Sequence, residues 1–523
     1  MPQQVDARPA AHTLQPEQLW RLGVAVAAAA VFVVMLLAGG GPTQEAVTSL
    51  WHLLDVSQLE SNPFTSLWFL HTQPPVFNAL IAVLTQLPVS ISTSLTWVLG
   101  VAHVGTAILV FNIVRWFGLD RPVAAVGSVL VVANPNLTST VYLASSELLV
   151  AFLVTLAIWL LTVYLDRPSA GPLLALSSAL TAVALTRSAF HPVWVAVILG
   201  VVLLTRRPPS RRQIAAAVAI PVILIGAVAA KNQVNVGSFS MSSWGGFNLQ
   251  RGVVAAMTRD QVRTAISDPR NAQLATTPPW LTVDQYPPAE PPCVASHANP
   301  VLLDPLKGAT SSIPNPNFNH ECYLPLYRQS AANAAALIRR YPGRYLATRR
   351  APLLQSFSTV NVGAGEPGQS IFGTMLPSRS WVDRLYRPIL LPVSVEIDQS
   401  DWNLPLFPGA PFPFDVSITL LLAYVGVALR GAVASARFAL HIARRRLRAI
   451  DRQEAVWIVV LITQITIIIG GAAVEFGENG RFRAVLDPLV CSLALVLLVR
   501  MSMRAWRALG PVIPLRLDRG AAP

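Results

Sequence analysis

The chain has 523 residues, 53% of them hydrophobic and only 12% charged, with a mean hydropathy of +0.51. A soluble domain carries roughly twice that charged fraction, so a soluble enzyme or binding module is excluded. The formal net charge of +13 does not mark a nucleic-acid binder, because the basic residues cluster between apolar runs, in the positive-inside pattern of membrane proteins.

In chain order, apolar runs near 20–39, 96–116, 121–134, 146–165, 170–186, 190–205, 213–230, 414–436, 455–473 and 484–501 approach the roughly 20 residues that cross a bilayer. The expected fold is an all-α polytopic membrane protein with about ten transmembrane helices. It carries an extracytoplasmic insertion of mixed or irregular structure. The Gly39-Gly40-Gly41-Pro42 exit of the first run has no clear small-x-small cleavage site, so an uncleaved first span is expected. With the N-terminus inside, the cytoplasmic connections carry Arg115 and Arg121, Arg167, Arg206 to Arg212, Arg444 to Arg452 and the tail from Arg500. The short outer connections carry almost none, apart from the last. The domain reading is a cytoplasmic tail (1–19), a transmembrane module (20–230), an extracytoplasmic domain (231–413), C-terminal membrane helices (414–501) and a cytoplasmic tail (502–523). The expected location is a plasma (inner) membrane.

Two outer segments stand out. The 40–95 loop holds three carboxylates, Glu45, Asp55 and Glu60, and from Thr43 to Ala79 no Lys or Arg at all. Acids this close to a membrane core are costly without a task. Trp51, Leu54 and Leu59 recur at roughly helical spacing, which suggests helices along the interface. The second segment, 231–413, is Pro-rich over 277–317. From Leu324 to Ser358 it reads as helical, with breaks at Pro342 and Pro352. Cys293 and Cys322 share this outer domain and are expected to form a disulfide; Cys491 lies in the last span.

Several motifs, in order along some 400 residues, resemble the GT-C class of membrane glycosyltransferases. These include the polyprenyl- or dolichyl-phosphate-mannose mannosyltransferases and the actinobacterial arabinofuranosyltransferases. His71-Thr72-Gln73-Pro74-Pro75-Val76-Phe77-Asn78 resembles the H-x-P-P-L segment after the acidic first loop. Asn134-Pro135-Asn136 through Ser145-Ser146-Glu147 resembles the second outer loop, and Leu185-Thr186-Arg187 the L-T-R turn. Gly237 to Asn248 resembles the segment after the seventh span. Glu475 to Arg483 with Asp487-Pro488, which includes Glu478 and Arg481, resembles the late E-x-x-R-F-R motif. One departure is that Asp55 stands without the adjacent acid many relatives carry.

The resemblance implies inverting transfer of a sugar, mannose or arabinofuranose, from a polyprenyl-phosphate donor to a cell-envelope glycan or glycolipid acceptor. A carboxylate takes the acceptor proton and also favours an oxocarbenium-like transition state. Asp55 is the leading base and Glu60 the second. The departing phosphate needs cationic forks, for which Arg187, Arg481 and Arg483 are candidates, with His71 beside them. Gln73, Glu147, Glu475 and Glu478 are supporting residues. Trp244 and Trp280 are candidates for stacking on sugar rings, or interfacial tryptophans. The arginines at 339, 340, 344, 349 and 350 face headgroups, glycan or solvent.

Other signals fail. Gly363 to Gly368 matches G-x-G-x-x-G, but Pro367 denies it a nucleotide-binding setting. There is no Walker A sequence, and no metal pattern supports a divalent cation, so no cofactor is expected. The implied partners are the lipid-linked donor, the acceptor and the bilayer, with no nucleic acid. Two alternatives stand beside this reading: a protein O-glycosyltransferase, and a transporter or flippase of lipid-linked sugar. The second should carry charges inside its spans near the midplane.

Overall fold

A computed structural model describes residues 15–37, 41–142, 144–205, 210–255, 257–278, 281–287, 293–295, 297, 299–308, 315–358, 394–397, 414–444, 451–475 and 479–509. Trp280, Glu478 and the 363–368 stretch lie outside them.

The chain opens with α1 (Pro16–Leu37), followed by three short helices, α2 (Gln44–Ser49), α3 (Val56–Ser61) and α4 (Pro63–Phe69), and then α5 (Pro75–Leu84). Local chemistry sets these starts. The Thr43 hydroxyl accepts from Ala46 N at 3.0 Å, capping α2. Pro63 and Pro75 open α4 and α5 in the first turn, where a missing N–H costs nothing. Next come α6 (Ile91–Trp116), α7 (Arg121–Val132), α8 (Pro135–Tyr142), α9 (Glu147–Asp166), α10 (Ala170–Thr186), α11 (Pro192–Thr205) and α12 (Arg211–Val236). Ser210 and Gln213 form a capping box at the start of α12, and Gly237, at φ 65°, ends it in the left-handed region. This helix runs past the expected boundary at 230.

The outer segment holds α13 (Gly245–Val254), α14 (Arg259–Ala265), α15 (Pro269–Thr276), α16 (Pro300–Leu303), α17 (Tyr323–Arg340), α18 (Pro342–Thr348) and α19 (Arg350–Gln355). Its described residues combine these short helices with a short strand and irregular stretches. The helix is interrupted just before each expected proline: at Tyr341, after which Pro342 opens α18, and at Arg349, after which Pro352 falls in the first turn of α19. A small antiparallel pair, β1 (Ser394–Ile397) with β2 (Phe414–Ser417), leads into α20 (Ile418–Ala443). The chain then forms α21 (Arg452–Val474), with a π-helical turn at Ile465–Gly470, α22 (Asn479–Ala484) and α23 (Asp487–Leu509).

Each of the ten apolar runs falls on a helix. Seven helices are long and apolar enough to cross a membrane, namely α1, α6, α9, α12, α20, α21 and α23. The runs at 121–134, 170–186 and 190–205 form the shorter α7, α10 and α11, and α5 adds a further short apolar helix. The protein is a multi-pass, helical membrane protein.

One continuous apolar core joins the bundle, from Val24 and Phe32 in α1 to Trp457 in α21 and Leu493 in α23. Two smaller clusters lie in the outer segment, one of them an aromatic stack of Trp244, Phe247, Tyr286, Phe318, Tyr323 and Tyr327. There α13 crosses α17 closely at Gly246: a Cβ would sit 2.5 Å from the Tyr327 carbonyl oxygen. Helix alternation brings the 41–74 loop, Glu147, Arg187, Gly237 and Glu475 to the same end of the bundle. On α4 there, Phe64 is 89% and Trp68 52% exposed. Asn235 Nδ2 donates to Trp68 O at 2.7 Å, tying α4 to the end of α12. An apolar face fixed at the end of a span suits a helix lying along the membrane surface.

Candidate active site

A cleft of about 1110 Å³, counting space open to solvent, lies at this loop-bearing end of the bundle. Its charged lining is Arg187, Arg251, Arg481 and Glu475. Arg187 caps the C-terminus of α10, Arg251 sits on α13, Arg481 on α22, and Glu475 directly follows α21. The π-helical turn at Ile465–Gly470 resets the face of the last turn of α21, which ends just before Glu475.

Glu147, the first residue of α9, is fully buried and gathers two of the arginines. Its Oε1 accepts from Arg187 Nη1 and lies 2.9 Å from Arg481 Nε. The Arg187 guanidinium also lies 4.4 Å from the centroid of the Phe482 ring, a cation–π contact. Glu475, 3% exposed, pairs with Arg251. Among the described residues, Arg187, Arg251 and Arg481 bring cationic forks to the cleft wall beside Glu475, chemistry that suits an anion.

The first loop supplies the rest of the wall. Ala46, Ser49, Trp51 and His52 line the cleft from one side, Gln73 and Pro74 from another. Asn78 holds the intervening turn. Its Oδ1 accepts from Leu54 N at 2.8 Å and its Nδ2 donates to His52 O at 3.2 Å. His52 is neutral: burial, and then the charge of Arg481, pull its pKa down to about 3, against the opposing pull of Glu147. Trp244 also lines the cleft, but its ring packs edge-on against Phe318 at 4.7 Å.

Asp55 is not in this cleft. Its Oδ1 caps α3, accepting from Ser57 N at 2.8 Å and Ser57 Oγ at 2.7 Å, and its Oδ2 accepts from Gly308 N. Burial pushes its carboxyl up, but the Gly308 and Ser57 hydrogen bonds and the nearby Lys307 ammonium outweigh it and hold the pKa below the ordinary value. A carboxylate so stabilised is a poor proton acceptor. Glu60 is exposed on α3 and does not line the cleft either. Both acids expected as a base therefore lie outside the cleft, Asp55 as the cap of α3 and Glu60 exposed on that helix.

His71 does not line the cleft either. It is 1% exposed and serves as a brace. Nε2 lies 2.9 Å from Asn319 O, which can only accept, so Nε2 carries the proton and Nδ1 accepts from Ser243 Oγ at 2.7 Å. Burial is the main cause of a pKa lowered to about 4. Arg483 has no exposed surface and pairs with Asp487 at 3.4 Å, which also accepts from Tyr424 Oη at 2.7 Å and Asn134 Nδ2 at 3.0 Å. Arg483 is therefore structural, while Arg481, two residues earlier, reaches the cleft. Glu478 lies outside the described residues.

One segment clasps the whole first loop. Asp304 Oδ2 accepts from Gln58 Nε2 at 3.2 Å, Lys307 Nζ donates to Leu50 O at 2.6 Å, and Asn315 Nδ2 donates to Thr48 O at 3.1 Å. Asn319 Oδ1 accepts from the backbone N–H groups of His71 and Thr72 at 2.9 and 3.2 Å, and its Nδ2 donates to Phe69 O at 2.9 Å. Cys293 and Cys322 are bonded and bracket this segment. Arg251, His52 and the 299–319 clasp were not anticipated from sequence. Arg251 had one signal: it falls one helical turn after Phe247-Asn248 in a segment already marked by resemblance. Among the described residues no group of three or more His, Cys, Asp or Glu could hold a metal ion.

No family model matches the chain, and no curated protein matches it. Among solved structures, the chain is similar to an archaeal oligosaccharyltransferase, AglB from Archaeoglobus fulgidus, in complex with an inhibitory peptide and a dolichol-phosphate. The identity is 13% and the TM-score 0.40, over 96% of this chain and 52% of that one. The apo form of an Archaeoglobus fulgidus oligosaccharyltransferase gives 12% identity and a TM-score of 0.37, over 95% and 52%. The chain thus spans about half the length of these structures.

Proposed function

We propose that the protein is an inverting GT-C-type glycosyltransferase that moves a sugar, mannose or arabinofuranose, from a polyprenyl-phosphate donor to a cell-envelope glycan or glycolipid. The observation that carries this reading is the convergence of Arg187, Arg251 and Arg481, with Glu475, at one membrane-level cleft. The motif order along the chain supports the same class. So does the collection of functional charges at one end of the bundle rather than at its midplane, which disfavours a transporter. The Arg distribution favours an inner membrane with the N-terminus cytoplasmic and the cleft on the outer face.

In this reading Arg187 and Arg481, held together by Glu147, bind the donor phosphodiester as cationic forks. As the glycosidic bond to phosphate breaks, charge grows on the leaving oxygen, where pre-set guanidinium groups stabilise it without reorganisation. Glu475, the carboxylate lining the cleft, takes the proton of the attacking hydroxyl, and Arg251 orients it.

The test is transfer from a panel of radiolabelled polyprenyl-phosphate sugars to envelope acceptors by purified protein. Transfer by wild type that is lost in Glu475→Gln supports the assignment. No transfer with any donor, alongside movement of intact lipid-linked sugar across liposomes, would establish a flippase instead.

A further inference from the structure

The outer segment carries a charge pattern that the cleft does not use. From Cys322 to Ser358 there is no Asp or Glu, yet six arginines occur: Arg328, Arg339, Arg340, Arg344, Arg349 and Arg350. Arg339, Arg340, Arg344 and Arg350 are exposed, and no carboxylate among the described residues pairs with them. Helical spacing splits α18 and its flanks into two faces. Tyr341 and Tyr345 pack inward on the outer segment's second apolar cluster. Arg340 and Arg344, one turn apart, lie on the other side.

The inner face also fixes the height of this element. Tyr345 Oη donates to Ala473 O at 2.8 Å, and Arg349 Nη1 donates to Ala472 O at 3.1 Å. Both acceptors are terminal carbonyls of α21, left without helical partners, and a cation suits that end of the helix dipole. The element therefore sits on the end of a membrane-crossing helix. Directly below, Ile469 is 53% and Val474 47% exposed on α21, as lipid-facing side chains are. Between Arg344 and Arg350, Leu346 stands 67% exposed among the described residues, an apolar side chain turned outward.

We infer that Arg339, Arg340, Arg344 and Arg350 with Leu346 form a docking surface for anionic phospholipid headgroups. Leu346 reaches the acyl boundary, and the guanidinium groups stay at phosphate level. An acidic glycan would satisfy the arginines but would leave Leu346 and the height at the end of α21 unexplained. The surface is independent of the proposed transfer chemistry. Each arginine at a charged lipid surface contributes about five-fold in affinity, and the effect fades with salt over a Debye length.

The experiment places the full chain in nanodiscs of phosphatidylcholine, alone or mixed with phosphatidylglycerol, and follows amide hydrogen exchange of peptides covering 339–350. Slower exchange in the mixed discs, reversed by high salt and absent in Arg339→Gln/Arg340→Gln/Arg344→Gln/Arg350→Gln, is the expected result. A soluble acidic oligosaccharide added to the neutral discs is expected to give no protection. The inference is overturned by equal exchange in both lipids, by protection that survives in the variant, or by protection from the oligosaccharide alone. Arg344→Gln by itself, an exposed single change, covers the event that the fourfold variant folds poorly. It is expected to retain part of the protection.

Discussion

Arg481 and Arg483 stand two residues apart on one short helix, and the structure places one at the cleft and buries the other. Arg481 lines the cleft with its Nε 2.9 Å from Glu147 Oε1. Changing it to lysine keeps the charge but replaces a planar fork with a point donor, which cannot serve Glu147 and a phosphate with parallel bonds. The loss is about one charge-assisted hydrogen bond, roughly 1.5–3 kcal/mol. That corresponds to about a ten- to hundred-fold fall in kcat/KM for the lipid donor. Arg483→Met, in contrast, breaks a buried pair with Asp487, and removing one partner of such a pair costs about 3–5 kcal/mol of stability. Asp487 keeps its bonds from Tyr424 and Asn134, so part of the site survives. The assay is initial-rate transfer from a radiolabelled polyprenyl-phosphate sugar, normalised to folded protein, with thermal unfolding in the same detergent. Arg481→Lys should be stable and slow, and Arg483→Met unstable but active per folded molecule. Wild-type turnover and donor KM in Arg481→Lys would refute the phosphate assignment, as would an Arg483→Met protein that unfolds normally yet fails to turn over.

Glu475→Gln should lower transfer by about 10²–10⁴, the usual contribution of a positioned base, whereas Asp55→Asn keeps the capping oxygen, loses the acceptor for Gly308 N and should cost only about 1–3 kcal/mol of stability; matched rate and melting measurements separate the two. His71 has a folded pKa lowered from 6.5 to about 4, so the unfolded chain binds its proton first and stability falls as pH drops from about 6.5 to about 4, by at most about 3 kcal/mol. His71→Gln should flatten that part of the pH–melting curve, and an unchanged curve would contradict the brace. Replacing Cys293 and Cys322 by serine opens a loop with a sequence separation of 29 and should cost roughly 3–4 kcal/mol in the chain-entropy account. Faster hydrogen exchange over 44–74 should accompany the lower melting temperature, because the loop's clasp lies between those cysteines.

The membrane bundle was legible because apolar run length and arginine spacing are local signals, and every one of the ten runs lies on a helix. The limit was length: α7, α10 and α11 are too short to meet the crossing criterion alone, which run counting does not register. At the site, Arg187 and Arg481 stood out because each lies in a motif beside a membrane boundary. The setting of Asp55 was ambiguous for a physical reason. An aspartate two residues before a serine, at a helix start, reads equally as an acid in an outer loop and as an N-cap, and the local hydrogen bonds chose the cap. The bracing contacts of His71 were not legible because its two partners, Ser243 and Asn319, lie 172 and 248 residues away. Arg251 and the 299–319 clasp were invisible for the same cause, since no local pattern announces a pairing across two hundred residues.

That separation bears on how the protein is made. The cleft's first wall, residues 44–74, leaves the ribosome early, but the side chain that fastens it, Asn319, follows 248 residues after His71. At the usual elongation rate of about 5–20 residues per second, the wall waits some 12–50 seconds for its fastener. During that interval the early helices can insert and pack, because their contacts are mostly with one another. The cleft cannot form, so a nascent or truncated chain that ends before Asn319 is a membrane bundle without a finished site.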